Sequence, residues 1–336
     1  MKDKKEKNPR LGKVGGQALL EGVMMRSGDD IAISVRSMDG TIRSKRTNFI
    51  SIRKKCKFLN IPLIRGIVSF VESLVMSYST MNDAIDMLGI EEEEGKFEKW
   101  LKKKFGAGLL DVLMPIAMIL GILLAVGIFI FLPTWIAGLI LNPFGENVGI
   151  WKSAIEGVLK VVIFVGYMLL VALMPDIRRT FEYHGAEHKS IFCYESGEEL
   201  TVENVKKHKR FHPRCGTSFM FVMIIISILV GFLIPTNIHT ALRALFKFLL
   251  LPLTMGIGYE FLMFAGKHDN WLVRALSAPG LLMQRITTKE PDDGQIEVAI
   301  KSLKLAMPAE FPDEEMLAPD PKPTAVDSAD EKKAEA

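Results

Sequence analysis

Two histidines lie four residues apart in the segment FEYHGAEHKSIFCYE, residues 181–195, and a glutamate directly precedes the second. If a helix begins at Pro175 and continues through this segment, His184 and His188 lie one turn apart on one face. Imidazoles in this arrangement can bind one metal ion together, as they do in the zinc-binding helices of metallopeptidases. Glu187 lies about 60° round the helix from His184, so its carboxylate can reach the edge of the same site. The pattern H-x-x-E-H is that of the inverted zincins, in which the glutamate activates a water molecule.

This motif is short, and a solvated helix with incidental histidines is the alternative that it leaves open. Further ligand candidates come from the segment KKHKRFHPRCGTSF, which leads into an apolar run. His212 precedes a proline and is therefore biased toward extended backbone, and Cys215 stands in a turn with the following glycine. Together, His184, His188, His212 and Cys215 form a His3Cys donor set. This set predicts a site for a divalent metal, with zinc as the preferred ion.

Four other residues are weaker candidates for the same site. His208 lies among lysines and arginines and is expected to face water. Glu260 lies near one end of an apolar run, where it could be a ligand, a partner of a ligand or a residue at the water boundary. The early segment GGQALLEGVMMR adds Glu21 and Arg26, but it has no G-K-[ST] and is therefore not a phosphate-binding loop.

The apolar residues of this chain are clustered. The chain has 336 residues, of which 49% are hydrophobic and 24% are charged. Residues 112–145 and 216–242 contain no charged side chain, and about 20 apolar residues suffice to cross a bilayer. These features predict an integral membrane protein, and a bundle of soluble core helices is the alternative. The predicted transmembrane helices are four: 110–132, 153–174, 217–234 and 244–265. In the second, Glu156 and Lys160 are expected to pair with each other at i,i+4.

The distribution of lysine and arginine predicts the topology. These residues crowd positions 1–104, 175–216 and the region after 266, whereas 133–152 contains one lysine and 235–242 contains none. Positive residues stay on the cytoplasmic side, so both termini and the 175–216 loop are expected to be cytoplasmic in a multi-pass inner-membrane protein. Anionic lipid and topology explain the basic flanks, so the expected partner is membrane lipid and not nucleic acid. No cleavable signal peptide is expected, because no apolar region follows the basic start.

The predicted fold class is therefore a mainly α membrane protein with a small β-meander near its start, over about 22–46, and an amphipathic helix over 62–88. Helix breaks are expected at Pro279-Gly280 and within the segment KEPDDG. The expected segments are a basic disordered leader (1–11), a small cytoplasmic β-rich segment (12–60), the amphipathic helix and a charged connector (61–108), a four-span membrane domain containing the cytoplasmic His-rich loop 175–216 (109–266), cytoplasmic helices (267–308) and a disordered tail (309–336).

Two motifs together, GGQALLEGVMMRS and YHGAEHKSIFCYE followed by HPRCGTSF, resemble the YqhQ-like family of bacterial membrane proteins. The resemblance extends over about 12–307 and includes KEPDDGQIEVAI. It implies a multi-span inner-membrane protein with a metal site, of a family labelled as predicted metal-dependent enzymes. The positions that the resemblance implies to be functional are His184, Glu187, His188, His212 and Cys215, with Glu21 and Arg26 placed less securely. The inverted zincins fit less well, because they are soluble and take a distant glutamate as a third ligand.

Three functions are compatible with these features. The first is a membrane-bound, metal-dependent hydrolase with three protein ligands, an open position for water, and Glu187 as general base. The second is a non-enzymatic scaffold or assembly factor in which all four His3Cys ligands close a structural zinc site. The third is a transporter, which the scarcity of charge within the apolar runs supports poorly. The sequence names no substrate.

Overall fold

The computed structural model describes residues 8–89, 116, 119–141, 149–212, 215–265 and 271–314. Most of the predicted leader and tail, and most of the charged connector, lie outside these residues. Asn8 donates a hydrogen bond to the backbone carbonyl of Glu195 at 2.5 Å, and Tyr194 donates one to Glu310 at 2.9 Å. The described residues of the predicted leader and tail therefore contact the end of the same helix, and the rest of the predicted disorder concerns residues outside the described part.

The chain begins with a four-stranded antiparallel sheet in the order β1-β2-β3-β4. Its strands are β1 (Val14–Leu19), β2 (Gly22–Ser27), β3 (Asp30–Arg36) and β4 (Ile42–Asn48). The predicted meander is therefore present, but the sheet also contains β1, which was not predicted from the sequence. The two glycines within β1 explain why it was missed, since glycine is depleted in strands.

Helices make up the rest of the described fold. They are α1 (Ile52–Lys55), α2 (Ile64–Leu88), α3 (Ile119–Leu141), α4 (Gly149–Val171), α5 (Pro175–Ser196), α6 (Val202–Lys207), α7 (Gly216–Gly231), α8 (Thr240–Leu249), α9 (Leu251–Ala265), α10 (Trp271–Thr287) and α11 (Asp293–Leu305). The amphipathic segment predicted over 62–88 is α2, and the His-rich helix is α5. A capping box of Asp292 and Gln295 begins α11, at the acidic end of the segment KEPDDG.

Both faces of the sheet are covered by helices. Met24 and Ile33 pack with the last turns of α2, whereas Met25 and Ala32 point to the opposite face and pack with α5 and α11. Successive side chains of a strand point to opposite faces, which explains why β2 can be apolar at adjacent positions. The sheet therefore holds the His-rich helix α5 against a rigid support.

Two helices, α3 and α4, are long and apolar enough to cross a membrane, and the bent pair α8 and α9 makes a third candidate. In α3 and in α4, only 17% of the most apolar 18-residue stretch is buried inside the protein. Most of the apolar surface of these helices must therefore be covered by something other than this chain. The third predicted span is a shorter apolar helix, Phe219–Gly231. Length and composition thus support two or three spans among the described residues, fewer than the four predicted.

Proline positions explain where the observed helices differ from the predicted spans. The first predicted span ends at 132, but α3 continues to Leu141 because a π-helical turn, Gly127–Phe131, precedes Pro133. Proline has no backbone N–H to donate, and the wider π-helical turn lets the helix continue without that hydrogen bond. The fourth predicted span is bent by 45° between α8 and α9, and Pro252 lies directly after this break. Conversely, Pro279 lies inside α10, so the break predicted there is wrong; α10 packs along α7 and is supported by it.

The predicted pair between Glu156 and Lys160 is also wrong. Glu156 accepts hydrogen bonds from Arg243 and Lys247 of α8, whereas Lys160 donates to Ser227 of α7 at 3.0 Å. Tertiary contacts with two other helices replace the local i,i+4 contact.

Candidate metal centre

Three donor side chains converge between α5 and the start of α7. His184 and His188 lie one turn apart on α5, with ring centroids separated by 4.4 Å. Cys215 directly precedes α7, and its Sγ lies 3.2 Å from His184 Nε2. One ligand atom from each of these three residues lies within 4.8 Å of the other two. A tetrahedral zinc site with nitrogen and sulfur ligands has ligand–ligand distances of about 3.3–3.7 Å, so a small rearrangement suffices for binding.

The backbone orients both imidazoles. His184 Nδ1 donates to the carbonyl of Thr287 at 2.8 Å, and His188 Nδ1 donates to the carbonyl of Arg210. Since a carbonyl only accepts, each Nδ1 carries the proton and each Nε2 keeps its lone pair for the site. Metal-binding histidines are typically oriented in this way by a partner on the other ring nitrogen.

His188 is prepared for a ligand. Its Nε2 is buried, makes no well-formed hydrogen bond among the described residues, and faces the Cys215 thiol. Leaving such an atom unsatisfied costs about 1–3 kcal/mol. Burial lowers the pKa of His188, which favours the neutral imidazole that binds metals. The residues present therefore fit a divalent ion by donor chemistry and by orientation.

A glycine on α5 permits the contact that orients His184. A side chain at Gly185 would overlap the backbone carbonyl of Lys289, which lies on the connection between α10 and α11. The amide of Lys289 donates to the carbonyl of Phe181 at 2.8 Å, so this connection lies directly on α5. The close approach places the Thr287 carbonyl at His184.

His212 lies beside the three converging donors and not among them. Its ring centroid is 5.5 Å from that of His188, but its Nε2 lies 3.8 Å from a carboxylate oxygen of Glu195. The side chain of Gln284 fixes its backbone, accepting from the His212 amide and donating to the His212 carbonyl, each at 2.7 Å. The predicted His3Cys set is thus arranged as three converging donors with His212 next to them.

Glu187 is 5% exposed, and the backbone of Gly16 lies directly against its carboxyl group. A Cβ at Gly16 would lie 3.0 Å from the Glu187 carboxyl carbon and 2.7 Å from the Met24 carbonyl oxygen, so this position needs glycine. The early glycine motif therefore contributes to the site by allowing close approach. Burial raises the pKa of Glu187 to about 7, against the opposite effects of His184 and of the Gly16 amide. A carboxyl group with such a pKa can accept or donate a proton near neutral pH.

These groups open into one cavity of about 710 Å³, a size typical of small-molecule sites. Glu187, His212 and the three donor residues all line it. The rest of its wall comes from β1, α2, α5 and α7, and includes Gln17, Ser73, Met76, Phe181 and Met220. The donors are therefore accessible from a partly apolar cavity.

The structure places the two early candidates against neighbouring elements. Glu21 accepts hydrogen bonds from Arg179 and from the hydroxyl of Tyr183, the latter at 3.3 Å, and so connects the sheet to the first half of α5. Arg26 donates to the carbonyl of Gly28 in the turn between β2 and β3, and it lies over the ring of Phe49, 5.3 Å from its centroid. Both residues support the sheet next to the site.

The other two weaker candidates also lie outside the three-donor group. His208 lies near Cys193 and Glu198, with its Nε2 3.4 Å from a Glu198 carboxylate oxygen. Glu260 is paired with Arg65, whose Nε donates to it at 2.7 Å, and so connects α9 to α2. Neither residue lines the cavity.

Sequence reasoning missed three contributors to the site: the carbonyls of Thr287 and Arg210, and the side chain of Gln284. Backbone carbonyls leave no signature in a residue pattern, and Gln284 lies far from the histidines along the chain. Glu195 lies seven residues after His188 on the same face of α5 and is 6% exposed, so the spacing of the histidines is a signal that could have found it.

Comparison with known proteins gives a family. Residues 61–309 match the profile of a family described as "Protein of unknown function (DUF1385)". The chain is 34% identical over 294 residues to "Uncharacterized protein YqhQ" of Bacillus subtilis (strain 168), an alignment that covers 86% of this chain and 90% of that protein. The chain belongs to this YqhQ-like family. The resemblance drawn from the motifs is thereby confirmed. No solved structure matches the chain.

Family membership covers the site but does not name its chemistry. The matched residues 61–309 include all three converging donors, Glu187 and His212. Neither printed description gives an activity, a metal or a partner. The function must therefore be argued from the geometry of the site.

Proposed function

We propose that this YqhQ-like protein is a membrane-embedded, metal-dependent hydrolase. Support comes from one observation above all: three donor atoms, from His184, His188 and Cys215, lie within 4.8 Å of one another at the wall of a cavity. Catalytic zinc sites use three protein ligands and keep one position open, whereas structural sites use four. The carboxylate of Glu187 lines the same cavity, which adds a candidate general base.

The residues divide the chemistry between them. His184, His188 and Cys215 would hold a divalent ion, and zinc suits their nitrogen and sulfur atoms. Such an ion, when bound, supplies Lewis acidity that lowers the pKa of water. Glu187 takes the proton at its carboxylate, which packs closely against Gly16 of β1. The apolar wall of the cavity binds the substrate and limits access of bulk water.

A structural metal site on a membrane scaffold is the second candidate. It is favoured by the proximity of His212 to His188, with ring centroids 5.5 Å apart, because a modest movement could make His212 a fourth ligand. X-ray absorption spectroscopy of the zinc-loaded, full-length protein distinguishes the two. The hydrolase predicts two imidazoles and one thiolate at the metal. Three imidazoles and one thiolate would instead indicate the closed, structural site.

We further propose that the helices α3, α4, α7 and the bent pair α8 and α9 cross the inner membrane as four spans, with lipid around them. Support comes from the exposed apolar surfaces of α3 and α4 and from the distribution of lysine and arginine. In this arrangement both termini and the metal centre are cytoplasmic. A transporter remains the least supported function.

Cysteine labelling of intact cells tests this topology. In a Cys56→Ser background, which removes the exposed native cysteine, Asn237→Cys should react with a membrane-impermeant maleimide and Ser196→Cys should not. Both positions are exposed in the structure, so a difference reports the side of the membrane and not burial. After lysis, both variants should react. Labelling of Ser196→Cys alone in intact cells would reverse the proposed orientation.

A further inference from the structure

A second group of charged side chains is buried between the apolar helices, outside the cavity of the metal centre. Arg243 of α8 is 0% exposed and donates to both carboxylate oxygens of Glu156 on α4, at 2.9 and 3.0 Å. Lys247 donates to the same carboxylate at 2.6 Å and to the hydroxyl of Thr134 on α3 at 2.8 Å. This network connects three helices through one carboxylate.

Positive charge exceeds negative charge in this group. Lys160 lies one turn beyond Glu156 on α4, and its ammonium donates to the Ser227 hydroxyl at 3.0 Å. Within the described part of the chain, Glu156 forms ion pairs with Arg243 and Lys247, whereas Lys160 hydrogen-bonds to the Ser227 hydroxyl and interacts with Glu156 only at longer range. Lys152, buried one turn before Glu156, also interacts electrostatically with Lys247, so four cations share one anion. Burying unpaired charge among apolar helices is costly, so this excess needs a compensating group.

The two lysines line a common cavity. It measures about 20 Å³ and is bounded by Lys160, Lys247, Ser227 and Thr254, with aliphatic side chains around them. The cavity has room for an occupant the size of a water molecule or of one monatomic ion. An ammonium has three N–H donors, and in the described structure Lys160 uses one and Lys247 uses two. Donors thus remain for an occupant of the cavity.

We infer that this cavity binds one halide ion, which in a cell is chloride. The ion offsets the charge of Lys160 and Lys247 and accepts their remaining N–H donors. Because these lysines belong to α4 and α8, the ion stabilises the packing of both helices against α7. The inference concerns a site separate from the metal centre and does not depend on the proposed hydrolase activity.

Thermal unfolding of the purified, full-length protein tests the inference. At equal ionic strength, the wild-type protein should unfold at a higher temperature in sodium chloride or bromide than in sodium gluconate, whose anion is too large for the cavity. Lys160→Met keeps the length of the side chain without its charge, so this variant should lose the chloride-dependent shift. Lys152→Met is the matched control on α4. Lys152 donates to the Thr236 carbonyl at 3.3 Å and does not line the cavity, so its variant should keep the shift.

Equilibrium dialysis with radioactive chloride measures the number of chloride ions bound per chain directly. This measurement on the wild-type protein tests the inference even if Lys160→Met fails to fold. One chloride bound per wild-type chain supports the site. If no chloride binds above the detergent background, the inference is wrong. A water molecule would then occupy the cavity, or a neutral lysine would account for the excess of positive charge. Binding that Lys160→Met retains would also overturn the inference, because the ion would then lie elsewhere.

Discussion

Replacing His188 by alanine should abolish stoichiometric metal binding by the purified protein. His188 Nε2 is a buried atom that makes no well-formed hydrogen bond in the described structure, and it faces two other donors. Loss of a residue that merely orients a ligand lowers metal affinity by about 10–100-fold, so loss of a ligand should cost more than that. Elemental analysis by mass spectrometry, on protein purified without chelators, gives the metal content per chain. Cys215→Ala should behave in the same way.

His239→Ala is the matched control for this experiment. It also removes an imidazole, but from the start of α8, away from the three converging donors and from the group formed by Cys193, Glu198 and His208. This variant should retain the metal. The prediction fails if wild-type protein from metal-replete cells contains no transition metal, or if His188→Ala retains it in full.

Glu187→Gln should retain the metal and the fold but lose activity by roughly 100-fold or more, the usual contribution of a general base. Glutamine has nearly the same size, so it can keep the close packing against Gly16. It cannot accept a proton from water. Until a substrate is known, the measurement is complementation of a strain that lacks the gene, with metal content determined on the same variant.

Glu198→Gln supplies the control for a change of charge near the same helix. Glu198 is exposed and lies near His208, so its replacement should leave complementation intact. A metal-loaded Glu187→Gln protein that complements fully would show that no proton transfer at this position is needed. The scaffold function would then be preferred, and failure would be expected only after loss of a metal ligand.

The spacing of residues along the sequence was sufficient to predict part of the metal centre. The spacing of His184 and His188 gave one helix face, since residues four apart always meet on an α-helix. Cys215 was recognised as a candidate because it precedes an apolar run, and the structure brings it within 3.2 Å of His184. The meander, the amphipathic helix and the apolar character of α3 and α4 likewise follow from short-range patterns of hydrophobicity and turn residues.

The remaining features of the metal centre depend on contacts between segments that are distant in the sequence. Nothing local to His212 indicates that Gln284 fixes its backbone or that Glu195 faces its ring, so four candidate ligands became three converging donors and a neighbour. The glycine pair in β1 carried no chemical signal, yet Gly16 allows the sheet to approach Glu187.

The same distinction applies to the buried charges. A local rule paired Glu156 with Lys160, whereas the folded chain pairs Glu156 with Arg243 and Lys247, which lie more than eighty residues away. By itself, the sequence determined which residues can form helices, cross apolar surroundings or bind a metal, because these properties depend on residue type and on spacing within a few turns. The tertiary structure decided which of these residues meet, because desolvation makes a buried charge or lone pair depend on whichever partner packing brings within hydrogen-bond distance.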